Sequence, residues 1–443
     1  MTYTQSKRSW WSQGKSRVFA FRRSLSRDFD YSTDFFFGLN FLMVVSGGRL
    51  NSRNVQFRVC WNIYRMLVIL AAIVTLRNCF LNMANGSDFE IVLNSVQVSL
   101  GILSTVLHMA LVLWHYNSLM AVRRYVNRRR FGRSLEPSLG IRRDAFYHVR
   151  KIVITVVALM CGAIASVPFQ DISHHHAFKL PFEDGSSLPI LQYFHGKIYL
   201  CFTVGIGFAI TTVHLVPYMI LTGLGAEVKV IAKSFSVIFE NTDQRVQWKM
   251  EGEPCSVWQT ELKMKYYFWK FVQEEIGECI DLHVEFLAML NRVRPMLNKM
   301  FYLFYYTTAL SLACAAIYLA TKKSISMIFI HTLIHALLIA FEFMILTRMV
   351  SWLNEAHQSI GNEVYGLDWP MRLECDDLFV VEHRSVRKIM TVVIAVSQQP
   401  LRLNGFGSEE FTQDRFWALL NLTYNFYNVL NDYNDCCVVK TAP

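Results

Sequence analysis

Four asparagines and an aspartate near the end of the chain pose the first chemical question. In the segment Leu419 to Tyr433, LLNLTYNFYNVLNDY, residues Asn421, Asn425, Asn428 and Asp432 stand at i, i+4, i+7 and i+11, which a helical period gathers into one stripe. Leu419, Leu422, Phe426 and Val429 fall on the other faces. The run is apolar enough to enter a membrane, where an amide without a partner costs several kcal/mol. The stripe therefore needs a polar neighbour. One reading is amide glue between helices, a known use of intramembrane Asn. The other is water in a conduit, favoured because the remaining apolar runs offer almost no ionisable group to pair with the stripe. On that reading Asn421, Tyr424, Asn425, Tyr427, Asn428, Asn431 and Asp432 line a pore. Asp432 and Asp435 then stand at its mouth, where carboxylates concentrate cations.

Other reactive side chains are less organised. His174, His175 and His176 are consecutive, but no acidic or Cys partner is spaced to complete a metal site, and a solvated loop is the expectation. His331 and His335 have i, i+4 spacing without the glutamate of a zinc protease, so polar lining of a cavity is expected. Glu342 has Arg348 six residues on and reads as a structural group. The ten cysteines include no CxxC pair, so neither a zinc module nor a disulfide framework is indicated. No nucleophile, base and orienter converge, so no enzyme is expected, and no cofactor or metal.

A second set of residues could form a pocket. Val96, Ser99 and Leu100, Met160, Gly162, Ala163 and Ser166, Tyr199 and Phe202, Tyr318, and Met327, Ile330 and His331 mix aromatic, sulfur and small side chains in the same half of successive apolar runs. A mostly apolar cavity with a few hydroxyls suits a small volatile or lipid-like organic molecule. Any helix bundle carries such residues in its core, so composition alone does not decide.

These residues must be held by membrane helices. The chain has 443 residues with 53% hydrophobic, 14% aromatic and only 18% charged content, which excludes a soluble domain and implies an all-α polytopic membrane protein. Runs of about 20 apolar residues lie near Val59 to Leu76, Ile91 to Trp114, Ile152 to Phe169, Ile198 to Leu221, Met300 to Ala320, Ser324 to Leu346 and Phe416 to Leu430. They predict seven transmembrane helices. Phe35 to Val45, FFFGLNFLMVV, is too short to span and reads as an interfacial or re-entrant element. The basic opening lacks an apolar segment before a cleavage site, so no removable signal peptide is expected.

Orientation follows from Lys and Arg. Met1 to Arg58, Trp114 to Lys151 and Gly225 to Lys299 carry ten each and Arg348 to Arg402 six, whereas the alternate loops carry none to two. A cytosolic N-terminus and an extracellular C-terminus are predicted. Asn85, in an Asn-Gly-Ser acceptor, falls in an outside loop and is a candidate glycosylation site. The net charge of +10 is explained by contact with anionic membrane lipid through runs such as Arg123, Arg124, Arg128, Arg129 and Arg130, so no nucleic acid is needed.

The organisation expected is a cytosolic N-terminal segment (1–57), helices one to four (58–224), cytosolic extensions of helices four and five (225–298), helices five and six (299–348), a cytosolic anchor with the first half of helix seven (349–408), and its pore-lining second half with a short tail (409–443). A turn at Gly366 to Pro370 and a helix from about Asp376 punctuate the anchor, and Pro400, Gly405 and Gly407 break helix seven. No internal repeat is visible, which weakens a transporter reading.

The C-terminal third resembles the insect odorant receptors. The resemblance rests on NEAHQSIGNEVY (Asn354 to Tyr365) followed by Trp369, on Gln398-Gln399-Pro400-Leu401, on Phe416, and on TYNFYNVL (Thr423 to Leu430). The family's usual ending there is similar to Ser-Tyr-Ser-Tyr-Phe-x-Val-Leu. Asn425 and Asn428 depart from the commoner small residues, which leaves the gate residue open. The resemblance implies a non-selective cation channel of four subunits, with helix seven lining the pore and an odorant bound in the outer half of each bundle. It also implies assembly as a heterotetramer with a shared co-receptor, in the plasma membrane of a sensory dendrite. The chain lacks the co-receptor's insertion and ending, so it is similar to a tuning subunit. A gustatory receptor is the alternative within the superfamily, with Thr423-Tyr424 matched but Leu430-Asn431 in place of Gln-Phe. A G-protein-coupled receptor would need the opposite orientation, and its Asp-Arg-Tyr and Asn-Pro-x-x-Tyr motifs are absent.

Overall fold

Apolar segments that cannot bond their backbone to water must close their hydrogen bonds internally, and the chain does this as helix. The computed structural model describes residues 28–30, 32–50, 54–85, 89–128, 135–166, 189–251, 257–321, 327–373, 376–405 and 410–440; the side chains of 89–90, 135–137, 159–166, 189–203, 257–259, 327–328, 331 and 430–440 are not among those described. The elements are α1 Leu39–Val45, α2 Val55–Ala84, α3 Phe89–Trp114, α4 Tyr116–Arg128, α5 Leu135–Ser166, α6 Pro189–Ser236, α7 Ile238–Glu251, α8 Val257–Thr321, α9 Met327–Tyr365, α10 Trp369–Arg372, α11 Val380–Ser397 and α12 Gln413–Lys440. Among the described residues there is no strand, only an isolated bridge between Asn404 and Glu410.

All seven expected apolar runs lie on long helices, namely α2, α3, α5, α6, α8, α9 and α12. Residues 167–169 and 324–326, at the edges of two runs, lie outside the described residues. Five described segments are long and apolar enough to cross a membrane: Val55–Ala84, Ile91–Trp114, Val204–Ser236, Thr260–Thr321 and Thr332–Arg372. The first half of α5 is instead charged, with Arg142, Arg143, Asp144, Arg150 and Lys151, and α12 carries the amide stripe. Isolated apolar side chains cover the outside of the bundle, among them Ile63, Leu70 and Ile73 of α2 and Leu337, Leu338 and Phe341 of α9, all exposed. Lipid is the medium that such a surface requires. The protein is an all-α multi-pass membrane protein.

At 1.5 Å per residue, α8, α6 and α9 are about 100, 70 and 60 Å long, against a hydrocarbon core of about 30 Å. Their surplus ends meet at one end of the bundle and are joined there by α7, α10 and α11 in one buried core that includes Phe235, Ile276, Phe286, Leu290, Leu353, Ile360, Val386 and Met390. This is the compact anchor. α6 is the central element, packed on α1, α2, α3, α5, α8 and α9. Gly225 of α6 and Trp352 of α9 pack so closely that a Cβ at 225 would overlap the indole ring.

The short Phe35 to Val45 segment is a wedge inside the bundle. Phe35, Phe36, Leu39, Leu42 and Met43 are buried in the main core. Its backbone is satisfied from within: Asn127 of α4 accepts from the Phe35 N–H at 3.0 Å and donates to Asp34 at 2.7 Å. Arg123 pairs with Asp34 and donates to Asn40 at 2.9 Å. Arg123 thus serves as an internal tie rather than as part of a lipid-facing run, and Arg129 and Arg130 lie outside the described residues.

Candidate functional site: the exposed face of the last helix and the polar groups behind it

α12 has two faces of different character. Leu419 is fully buried, and Leu422 and Phe426 pack on the main core against α8 and α9. Trp417, Leu420, Asn421, Tyr424 and Asn425 lie on the opposite side and are exposed, Tyr424 by 64%. Asn428 is half-buried, at the edge of that face. Tyr427 turns inward, onto the cluster of Leu93, Cys314, Ile317 and Tyr318 against which Val96 also packs. The side chains of Asn431 and Asp432 lie outside the described ones. Neither Asn421 nor Asn425 has a hydrogen bond to another helix among the described residues.

The start of α12 is clamped. Asn354 of α9 accepts from the Leu401 N–H at 3.2 Å and donates to Glu410 at 3.1 Å, while the other Glu410 oxygen accepts from the Arg402 N–H at 3.0 Å. Arg294 of α8 donates to the Leu401 carbonyl at 2.9 Å. Ser351 accepts from the Gln413 N–H at 3.1 Å, and Phe411 stacks on Phe301 with centroids 4.3 Å apart. Arg402 holds a φ of +52°, a conformation costly for a residue with a side chain and tolerated because both neighbours are hydrogen-bonded. Two helices of the anchor thereby fix where the last helix enters the bundle.

Of the pocket candidates, Val96, Ser99 and Leu100 are half-buried on α3. Ser99 and Ser95 sit beside the Cys79 thiol of α2. Tyr318 is buried, and Ile330 is exposed on the surface of α9. The side chains of Met160, Ser166, Tyr199, Phe202, Met327 and His331, and the surroundings of Gly162 and Ala163, lie outside the described ones, as do His174, His175 and His176. Asn85 is exposed and caps the end of α2, its N–H bonded to the Leu81 carbonyl at 2.9 Å. The described cysteines, Cys60, Cys79, Cys279 and Cys314, are free thiols.

Two histidines with no motif of their own in the sequence lie within the bundle, on α3 and α6. His108 of α3 is fully buried. Both ring nitrogens face backbone carbonyls, Nδ1 that of Ser104 at 2.7 Å and Nε2 that of Met300 at 3.1 Å, with the Ser104 hydroxyl also 3.1 Å from Nδ1; a neutral ring donates to one of these carbonyls only. Phe304 stacks on His108 at 4.0 Å and also contacts the ring of His214 at 4.7 Å. His214 of α6 pairs with Glu342 of α9, so Glu342 answers to another helix and not to Arg348, which instead reaches Glu355 at 3.3 Å and Gln413 at 3.4 Å. A lone His in an apolar helix was the only available signal, and its partners lie far away in sequence.

In the anchor, His283 and His357 face each other, Nε2 to Nε2 at 2.9 Å, both almost completely buried. One ring must donate and the other accept, so the accepting ring is neutral, and burial lowers the pKa of both. Burial and the neighbouring His283 hold the His357 pKa down to about 4.

No protein-family model and no curated protein matches the sequence. Solved structures do match in fold. The insect olfactory receptor OR5 from Machilis hrabei in complex with eugenol superposes with a TM-score of 0.62 at 12% identity, covering 94% of this chain and all of that one. A second structure of OR5 from Machilis hrabei gives a TM-score of 0.59 at 12% identity, covering 88% of this chain and 96% of that one. Agreement over nearly the whole of both chains leaves one conclusion: this chain has the fold of the insect olfactory receptors.

Proposed function

We propose that the chain is an odorant-tuning subunit of a ligand-gated cation channel and a member of the insect odorant receptor family. The observation that carries this is the exposed face of α12, where Asn421 and Asn425 sit on an otherwise membrane-compatible helix with no hydrogen-bond partner among the described residues. Such a face must meet water or another subunit. Four copies of a clamped helix around an axis provide both, and the OR5 fold supports that arrangement. The N-terminus is cytosolic, the anchor lies inside the cell, and Asp432 stands at the outer mouth of the conduit. The solved relative that holds eugenol supports a small volatile ligand, placed between α3, α5, α6 and α9 by Val96, Ser99, Leu100, Met160, Gly162, Ala163, Ser166, Tyr199, Phe202, Met327, Ile330 and His331. Asn421, Tyr424, Asn425, Asn428, Asn431 and Asp432 form the permeation path, from which the inward packing of Tyr427 removes that residue, and Asn85 is glycosylated on the outside.

The test is odorant-evoked current from cells expressing this chain with a co-receptor, compared with Asn425→Leu. An apolar group facing the conduit impedes wetting, so current falls while surface delivery stays normal. Loss of delivery with normal current per channel would assign the stripe to helix packing instead. A tag placed before Met1 and scored on intact cells tests orientation separately.

A further inference from the structure

A cleft of about 180 Å³ opens between α4 and α8 on the side of the bundle where the anchor begins. Arg124 and Arg128 of α4 and Arg292 of α8 line it, together with Tyr125, Glu285 and Met289. Arg124 uses one N–H on the Met120 carbonyl of its own helix at 3.3 Å, Arg128 reaches Glu285 at 3.4 Å, and Arg292 has no ion pair among the described residues. Three guanidinium groups against one carboxylate leave the cleft with an excess of positive charge. Tyr125 is 5% exposed, and its hydroxyl is buried without a hydrogen-bond partner among the described residues. A buried hydroxyl of this kind costs stability unless something satisfies it.

The position of the cleft narrows the ligand. α4 starts two residues after Trp114, which ends the apolar helix α3 and is 85% exposed, as a residue at a membrane interface would be. Apolar residues of α4, among them Leu119, Val122 and Val126, are buried in the core, and Arg124 and Arg128 are left on its exposed side. With the N-terminus inside, on which this argument rests, the cleft sits at headgroup depth on the cytosolic leaflet. At about 30 Å³ per water, its volume holds a phosphate and part of a ring. Guanidinium groups pair bidentately with phosphate oxygens, and a dianionic phosphomonoester matches the charge better than a monoanionic phosphodiester.

We propose that this cleft is a binding site for a phosphomonoester, carried by a phosphorylated inositol lipid of the inner leaflet. Arg124, Arg128 and Arg292 hold the phosphate, and the Tyr125 hydroxyl donates to it. The occupied cleft ties α4 to α8, whose far end packs on α12, so the lipid steadies the helix that supports the conduit.

The test uses the purified full-length protein in detergent and a fluorescent short-chain phosphatylinositol bisphosphate as probe, which makes the outcome independent of orientation and of channel activity. Wild-type protein is expected to bind it at least tenfold more tightly than short-chain phosphatidylserine. The triple variant Arg124→Ala, Arg128→Ala, Arg292→Ala is expected to lose that preference. Tyr125→Phe, which keeps the ring and removes the unsatisfied hydroxyl, is expected to weaken binding several-fold in protein whose melting temperature is no lower than that of wild type. Competition by soluble inositol trisphosphate at the lipid's own affinity would support the phosphomonoester site and assign its source to the soluble anion; competition only by the lipid assigns the membrane. Equal binding of the inositol lipid and phosphatidylserine, or unaltered binding by the triple variant in protein that melts normally, would overturn the proposal. A failed orientation tag with binding intact would remove the inner leaflet as the source and leave the site standing.

Discussion

Arg142 and Glu227 show what a buried charge demands of its neighbours. Both side chains are almost fully shielded, and the guanidinium meets the carboxylate through two bonds, at 2.9 and 2.8 Å. Such a pair contributes little over an apolar replacement, but removing one partner strands the other. Arg142→Met is therefore expected to cost about 3 to 5 kcal/mol, read as a lower melting temperature of the solubilised protein. Arg142→Met with Glu227→Leu should recover most of that loss; a double variant as unstable as the single one would refute the argument. The His283 and His357 pair makes a different prediction, in pH. An unfolded His titrates near 6.5, whereas burial holds His357 to about 4. The unfolded chain binds more protons between these values, so stability is complete above about 6.5 and declines as pH falls toward 4. Melting temperatures between pH 7.5 and 5 should show this decline, and His357→Phe should flatten it. The amide stripe was legible in the sequence because all its members lie on one helix. His108 and His214 were not legible as a cluster, since Met300 is 192 residues from His108 and only folding brings them together.

Elements differ in how far a local pattern can define them. Long apolar runs announce themselves, and all seven are helices. Their ends do not, because α6, α8 and α9 continue well past the hydrocarbon by packing on one another, and that packing depends on distant partners. The helix expected from about Asp376 begins at Val380. The length of the Phe35 to Val45 wedge left interfacial and re-entrant placements open, and it is buried because Asp34, Arg123 and Asn127 supply its polar contacts across some 90 residues of sequence. Close helix contacts are equally silent. Gly225 lets α6 approach the ring of Trp352, and that half-buried ring, covered by Lys229, is not a flexible chain end that could move aside cheaply. Gly225→Ala is expected to cost about 1 to 3 kcal/mol through overpacking, despite alanine's better helix propensity. A variant more stable than wild type would show that the two helices separate freely.

At the scale of the whole molecule, the exposed face of α12 is a statement about assembly. Trp417, Tyr424 and Val429 are 59%, 64% and 66% exposed beside Asn421 and Asn425, too polar a surface for lipid and too apolar for bulk water. Such a mixed face is suited to a subunit interface around a narrow wet axis. In the proposed tetrameric channel, four identical copies would bring four Tyr424 rings and four amide stripes together and crowd the conduit with bulk, whereas the proposed assembly with a co-receptor would dilute them. The chain expressed alone should therefore reach the surface poorly or conduct weakly, and co-expression should raise odorant-evoked current by at least tenfold. Tyr424→Ser in the chain expressed alone separates the two causes. If bulk at the axis limits the homomer, the smaller side chain raises its current; if the homomer fails to assemble, current stays absent and crosslinking shows no tetramer. Robust odorant-evoked current from the unaltered chain in cells without any co-receptor would show that four like faces form a working conduit and that no partner is required.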